Sequence, residues 1–351
     1  MFKILLSKLN TGLRMIPAIL KAKYIKPVPI FCQWEITYDC NMDCQFCMPK
    51  RNIALKKKSP ELNTTEAIDI IRQLGDLGTR ILNFSGGEPT LRKDLPLLIS
   101  EAKKRKMTVF FSTNGSTLTE TAKNLLGADM IRVSIDGPKE IHDKIRRRPG
   151  AFDNAVNGIK TLKGYGKKPM IVTAVSNLME FKDLIYLTEL AKSLGVQIDF
   201  SMVGVSLPST VINPQKSDLM KEQTQLVSNV NWFIESITKL KKMYGKTIAN
   251  PDIYLEMLKK GSLANFGCKA LTANISIKPD GAVGFPCDNY TMGLARGNLK
   301  DIYFSKEVNE ARKSTGKFWF CNLCYSRCNG FSTMLLETKH LLSIIKSYKS
   351  F

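Results

Sequence analysis

Histidine is nearly absent: the 351 residues hold two, His142 and His340, far apart in the chain. Neither stands beside a cysteine cluster as an adjacent metal ligand. Acidic residues are also scarce, with 31 Asp and Glu against 52 Lys and Arg, which leaves a formal net charge of +21. That excess favours an anionic partner such as nucleic acid, a phosphate-bearing substrate or an acidic membrane surface; it says nothing of fold. No apolar run reaches the ~18 to 20 residues that a spanning helix needs. The basic start also lacks the unbroken apolar core of a secretory signal. Lys3, Lys8, Arg14 and Lys21 interrupt it, and Pro17 lies among them. Low-complexity tracts are missing too. These absences predict a cytoplasmic protein in a reducing compartment, where clustered cysteines serve as metal ligands more readily than as disulfides.

What is present is a core-forming chain, 44% hydrophobic, with a repeated pattern. Short β-branched or apolar runs occur at "FCQWEIT" (31), "RILNFS" (80), "MTVFFST" (107), "MIRVSID" (130), "MIVTAVS" (170) and "QIDFSMV" (197). Helical stretches such as "TEAIDIIRQLGDLG", "LPLLISEAKKRK", "ETAKNLLG" and "DLIYLTELAKSLG" lie between them, several closed by a C-capping Gly. Alternating units of this length predict an α/β fold with a parallel sheet and helices outside it. In such folds the chemistry sits at the C-terminal ends of the strands. Residues 205 to 265 break the pattern: "SLPSTVINP" reads as a loop, and 216–245 as one long helix. "GCKALTANISIKPDGAVGFPC" then reads as a β-hairpin turning at Pro279-Asp280-Gly281.

Nine cysteines stand at 32, 40, 44, 47, 268, 287, 321, 324 and 328. Cys40, Cys44 and Cys47 fall directly after the first predicted strand, on the rim where chemistry is expected. Three thiolates on a short loop can wrap one face of a four-iron cluster, which usually takes four cysteines. With three, one iron stays open, and an open position marks a reactive site rather than a structural one. Zinc is the competing reading, although a zinc ribbon normally shows two CxxC pairs.

Cx3Cx2C after a first strand resembles the signature of the radical S-adenosylmethionine enzymes. Further segments follow in the family's order, each after its own strand. Phe46 precedes the third cysteine, where the family places an aromatic against the adenine. "SGGEP" (85–89) looks like the family's GGE motif, "STNG" (112–115) and "SIDG" (134–137) are typical at their positions, and "HDKIRRRPGAF" is similar to the HDxxRG segment. The resemblance spans about residues 31 to 205. It implies a partial (β/α)6 TIM-like barrel and a [4Fe-4S] cluster whose open iron is chelated by the methionine end of S-adenosylmethionine. A reductant such as ferredoxin or flavodoxin drives the cleavage, and the 5′-deoxyadenosyl radical abstracts a hydrogen atom from an unreactive C–H bond. It also implies cofactor contacts at Phe46, Gly86, Gly87, Glu88, Asn114, Ser134, Asp136 and Arg146. Gly86 and Gly87 suit a close backbone approach, Glu88 suits an ammonium, and Arg146 matches the arginine that meets the methionine carboxylate. Arg147 stands where the family usually has Gly.

The hairpin between Cys268 and Cys287, followed by a CxxC, resembles the SPASM/twitch auxiliary-cluster domains of this family. It implies a second [4Fe-4S] cluster on Cys268, Cys287, Cys321 and Cys324, with Cys328 as a substitute or a free thiol; structural zinc is the alternative. Cys32, within the first strand, reads as a core thiol. The domain expectation is 1–30 as a basic amphipathic helix, 31–215 as the barrel, 216–265 as a helical connector, 266–335 as the auxiliary domain and 336–351 as a second amphipathic helix.

Phe2, Leu5, Leu6, Leu9, Leu13, Ile16 and Leu20 recur at helical spacing among lysines, as do Leu341, Leu342, Ile345 and Tyr348. Such ends either pack on the protein's own surface or lie peripherally on a membrane. The second option and the charge favour a lipid or isoprenoid substrate. A peptide, as for many SPASM-bearing enzymes, and a cofactor precursor or other small molecule are the alternatives. Lys56-Lys57-Lys58, "KKRK" (103–106) and Arg146-Arg147-Arg148 would be the footprint of a metal-stapled nucleic-acid binder, but no nucleic-acid module accompanies them. No catalytic residue is readable beyond the unresolved pair Asp288 and Tyr290. Anaerobic reconstitution is expected to load about eight irons, as two four-iron clusters require, and to yield 5′-deoxyadenosine on reduction with S-adenosylmethionine. Cys44→Ala is expected to yield none; zinc uptake without cleavage in the wild type would overturn the reading.

Overall fold

The computed structural model describes residues 15–47, 60–203, 229–285, 290–318, 321, 324 and 327–337. Its strands β1 (Phe31–Glu35), β2 (Ile81–Ser85), β3 (Thr108–Thr113), β4 (Met130–Ser134), β5 (Met170–Val175) and β6 (Gln197–Met202) coincide with the six expected runs. They pair in parallel and in chain order. On the far side of β1 the sheet continues: β7 (Asn274–Ile277) also runs parallel to β1, and β8 (Ala282–Phe285) and β9 (Tyr290–Leu294) turn back antiparallel. The nine strands make one open sheet with β6 and β9 at its edges. The hairpin turn falls where expected, with Gly281 at φ +86° and the Asp280 carboxylate accepting from the Ala282 N–H.

Most of the helices pack on one face. In chain order they are α1 (Thr64–Leu77), α2 (Leu95–Lys104), α3 (Lys139–Arg146), α4 (Ala151–Gly164), α5 (Phe181–Ser193), α6 (Val230–Tyr244), α7 (Asp252–Lys259), α8 (Leu299–Tyr303), α9 (Lys306–Lys313) and α10 (Arg327–Leu336). The chain writes α1 explicitly. Asn63 and Glu66 form a reciprocal capping box, Ala67, Ile70, Ile71 and Leu74 make the buried stripe, and Gly78 ends it in the left-handed region. The single long helix expected over 216–245 is corrected: Asn229 is extended and caps a helix that begins at Val230, its side chain accepting from the Trp232 N–H. Residues 204–228 lie outside the description, as do 1–14 and the C-terminal stripe from Leu341 to Tyr348.

The helix-facing strand residues Trp34, Leu82, Phe84, Phe111, Val133, Ile171 and Phe200 join Ile70, Leu98, Ile159 and Leu187 in the main core. Cys32 is fully buried there. A second apolar cluster closes the other face at the N-terminal ends of the strands. Phe31 and Ile81 meet Ile253, Ala273, Met334 and Leu335, and Phe31 packs edge-on to Phe331 at 5.9 Å. The helix over 15–24 contributes Ala18, Ile19 and Ala22 to this floor. Within the described part, the N-terminal helix therefore spends one face on the protein itself. No described helix is long and apolar enough to cross a membrane. Ile19→Ala is expected to lower unfolding stability by about 2–5 kcal/mol, the usual cost of truncating a buried Ile, measured in urea. A change within about 0.5 kcal/mol, the size of a surface effect, would mean that the helix does not serve the core.

Candidate functional site

The site grows from how β1 and β2 end. Their pairing does not stop at Glu35 and Ser85. Ile36 N–H donates to Ser85 O (2.8 Å), Gly87 N–H to Thr37 O (2.8 Å) and Glu88 N–H to Asp39 O (2.7 Å), carrying the ladder up to the residue before Cys40. At two positions of this seam a side chain is impossible. A Cβ on Gly86, which has φ +128°, would lie 2.5 Å from Thr37 O, and one on Gly87 2.1 Å from Asp39 O. The close approach foreseen for these glycines is thus made to the chain's own backbone.

Glu88 is almost fully buried and its carboxylate is committed. One oxygen accepts from Thr90 N–H (3.1 Å) and Oγ (2.7 Å), the other from Asn114 N–H (2.7 Å). Burial raises its pKa against these hydrogen bonds. Asn114 Nδ2 donates to Asn41 Oδ1 (2.9 Å), and Asn41 Nδ2 to Ser116 Oγ (2.8 Å). The ends of β2 and β3 are thereby tied to the cysteine loop. Nothing in the sequence pattern marked Asn41 or Thr90 for this service.

On that loop Cys40 is exposed, Cys44 buried and Cys47 half-buried, with Cys47 N–H donating to Cys44 O at 3.2 Å. Burial raises the Cys40 and Cys44 thiols; Cys44 adds to the rise at Cys40, while Arg146 opposes the rise at both. The far wall is the C-terminal end of α3. Gln45 N–H donates to Ile145 O (2.9 Å), Arg146 Nη1 lies 3.7 Å from Cys44 Sγ, and Arg147 Nη1 reaches Asp43 Oδ2 at 3.2 Å. Arg146 is clamped in turn by Asp136, with Nε 2.7 Å from Oδ2 and Nη2 on the same carboxylate, and its guanidinium lies 5.7 Å from the Phe46 ring centre. Beneath, Asp136 N–H donates to His142 Nδ1 at 2.9 Å, and burial holds His142 down to about 4, so it is neutral. Ser134 ends β4, half-buried. The expected positions Phe46, Gly86, Gly87, Glu88, Asn114, Ser134, Asp136 and Arg146 thus all lie on the loops at the C-terminal ends of β1 to β4 or at the end of α3.

Three thiols on one turn, a buried cation beside one of them and no side chain along the glycine seam suit a cluster that keeps one iron open. Among the described residues, no three His, Cys, Asp or Glu side chains stand close enough to grip a single ion. A second gathering involves Cys268, Cys321 and Cys324. Cys324 N–H donates to Cys321 O (3.2 Å), and burial, with both of those thiols adding, pushes Cys268 up to about 12. Cys287, Asp288 and the side chains of Tyr290 and Cys328 lie outside the description.

The face of the sheet opposite the helices is polar. Asn83 bridges Gln33 and Arg132 across β1, β2 and β4, and Gln33 Nε2 donates to Ser85 Oγ at 2.6 Å. Asp199, Asn274 and Ser276 are buried on the same side, and Lys278 Nζ meets Glu35 Oε1 at 2.7 Å near its upper edge.

The model of the Radical SAM superfamily matches residues 34–194. An AdoMet-dependent heme synthase of Oleidesulfovibrio alaskensis is 30% identical over 296 residues, 77% of this chain and 72% of that protein. The mycofactocin maturase MftC of Mycolicibacterium smegmatis is 33% identical over 319 residues, 86% of this chain and 77% of that one. Among solved structures, Streptococcus suis SuiB bound to S-adenosylmethionine superposes with a TM-score of 0.61 at 15% identity, covering 92% of this chain and 77% of that one. A structure of anSMEcpe with bound AdoMet gives 0.61 at 17% identity, covering 91% and 99%. At such identities these two likenesses speak for the fold alone.

Arg147 sits at φ +50°, the left-handed position that ends α3. For a side chain this costs about 1–2 kcal/mol, and its largely exposed pair with Asp43 returns about 0–1 kcal/mol. Arg147→Gly is therefore expected to raise unfolding stability by about 1 kcal/mol in urea titration. A loss of stability would show that the tether to the cysteine loop outweighs the strain.

Proposed function

Because this chain belongs to the radical SAM superfamily, we propose that it is a maturase-type enzyme that abstracts hydrogen from a C–H bond of a peptide seated on the concave face of its sheet. Its cofactors are a [4Fe-4S] cluster and S-adenosylmethionine, which together supply a 5′-deoxyadenosyl radical once a one-electron donor such as ferredoxin or flavodoxin has reduced the cluster. In this reading Cys40, Cys44 and Cys47 hold three irons. The methionine end lies by the Gly86–Gly87 segment, whose backbone Glu88 and Asn114 fix. Phe46 and Ser134 flank the nucleoside. Cys268, Cys321 and Cys324, with Cys287 or Cys328, hold an auxiliary cluster.

The observation that carries the substrate class is the polar concave face. Gln33, Asn83, Arg132, Asp199, Asn274 and Ser276 line it with amide, hydroxyl, carboxylate and guanidinium groups, a poor match for a lipid tail. A peptide backbone, with one donor and one acceptor per residue, satisfies such a wall. The long match to the mycofactocin maturase supports the same class. The described part of the N-terminal helix buries Ala18, Ile19 and Ala22 in the floor of the sheet, whereas Leu20 of the expected apolar stripe is exposed, and no described helix could cross a membrane. The match to heme synthases favours one second reading, an iron porphyrin whose carboxylates would meet Arg132.

The test is anaerobic turnover of the reconstituted enzyme with reduced flavodoxin. Candidate substrates are small peptides encoded beside its gene, iron coproporphyrin III, and phospholipid vesicles. A rise in 5′-deoxyadenosine of tenfold or more with a peptide, together with a modified peptide in the mass spectrum, is the expected result. The same rise with the porphyrin alone would establish the second reading, and with vesicles alone would restore the lipid.

A further inference from the structure

We propose that the end of the molecule opposite the cysteine rim, where the parallel strands begin, is a docking surface for an anionic lipid bilayer. Attachment is separate from the substrate class: the concave face still takes a peptide while the far end of the sheet rests on lipid.

Three chain segments meet at that end by topology. Residues 21–26 lead into β1, 103–106 into β3 and 163–168 into β5. Because β1 to β5 pair in parallel and in chain order, these segments share one end of the sheet. Four inter-strand steps of about 4.8 Å spread them over a face about 20 Å wide. Together they hold ten Lys and Arg and no Asp or Glu. Lys23, Lys26, Lys104, Lys106, Lys163 and Lys168 are all exposed. Asp129 and Asp76, at the same end, are answered by Lys103 at 2.6 Å and Arg105 at 2.9 Å. A face of this sign attracts a polyanionic surface.

Charge alone suits any polyanion, and the apolar groups among the cations choose between them. The helix over 15–24 turns Ala18, Ile19 and Ala22 inward. Away from that floor, Leu20 is 49% exposed and Tyr24 68%, and Ile25, just past the helix, is 76% exposed. Tyr165, in the segment before β5, is exposed as well. Lys23 Nζ lies 5.4 Å from the Tyr24 ring centre, and Lys26 Nζ 5.3 Å from that of Phe304, so cationic heads stand beside apolar bodies. Aromatic and aliphatic groups set among lysines fit the boundary between headgroups and acyl chains. The rings sit at headgroup level and the ammonium groups meet lipid phosphates. A nucleic-acid backbone would engage the lysines and leave Leu20 and Ile25 in water.

Flotation of the full chain with lipid vesicles tests the assignment. At about 0.1 M salt, vesicles of phosphatidylcholine with about a third phosphatidylglycerol are expected to bind it at least about tenfold more tightly than phosphatidylcholine alone. Tyr24→Ser with Ile25→Ser removes the apolar contact, and Lys23→Gln with Lys168→Gln removes charge. Each pair alters exposed positions only and is expected to weaken binding about tenfold. Lys93→Gln with Lys182→Gln takes the same charge from the C-terminal ends of β2 and β5, and is expected to change binding by less than about twofold. Wild type that ignores the anionic vesicles overturns the proposal. So does an equal loss in the Lys93 and Lys182 pair, which would assign binding to net charge rather than to this face. An unchanged Tyr24 and Ile25 pair, together with duplex DNA binding that the Lys23 and Lys168 pair abolishes, would give the face to a nucleic acid instead.

Discussion

The backbone seam between residues 85–88 and 36–39 is the constraint on which the site depends. Two strands of a parallel sheet ordinarily part at their C-terminal ends, where loops diverge. Here three further N–H···O bonds keep them together up to Cys40. Only glycine fits at 86 and 87, since a Cβ would overlap a carbonyl oxygen at either. The first cysteine is therefore placed by the sheet rather than by a free loop. Cys44 and Cys47 are placed by a turn braced against α3, and Glu88 carries the fixed geometry onward to Asn114. A cluster ligand set needs positions good to fractions of an ångström, and a loop zipped to rigid elements supplies them.

The two faces of the sheet divide the remaining work. The helix face is an unbroken apolar core around Trp34, Phe84, Phe111 and Phe200, and it holds the strands in register. The concave face gives up part of that stabilisation to carry Gln33, Asn83, Arg132 and Asp199. Its lower end is closed among the described residues by Phe31, Ile81 and the helix over 15–24. Strained and buried charged groups collect at the cysteine rim: Glu88, the Asp136–Arg146 pair, and Arg147 in the left-handed region. Each departs from what stability alone would select, as functional sites commonly do.

Much of this was legible in the chain. All six parallel strands stood out because β-branched runs alternated with helical stripes, and the order of short motifs placed the site on their ends. The mistakes have physical causes. Helix α3 does not stand out by periodicity, because this charged segment has just His142 and Ile145 buried. The long helix through 229 was misread because apolar spacing runs on across Asn229, whereas the cap is a backbone event. For the amphipathic N-terminus both surfaces stayed open, since a protein floor and a lipid headgroup layer ask for the same stripe; of the described residues, Ala18, Ile19 and Ala22 meet the protein floor.

By itself the sequence determined the class of fold, the cysteine triplet, the glycine pair and the family, because these are written in local spacing and residue type. Only the tertiary structure decided which groups those residues would touch. It joined β7 to β1, turned the glycines against the chain's own carbonyls, spent Glu88 on Asn114, and set Arg146 between Asp136 and Cys44. Such contacts link residues dozens to hundreds of positions apart. Periodicity cannot report them, for they exist only once a packed core has fixed the strands and brought their ends together.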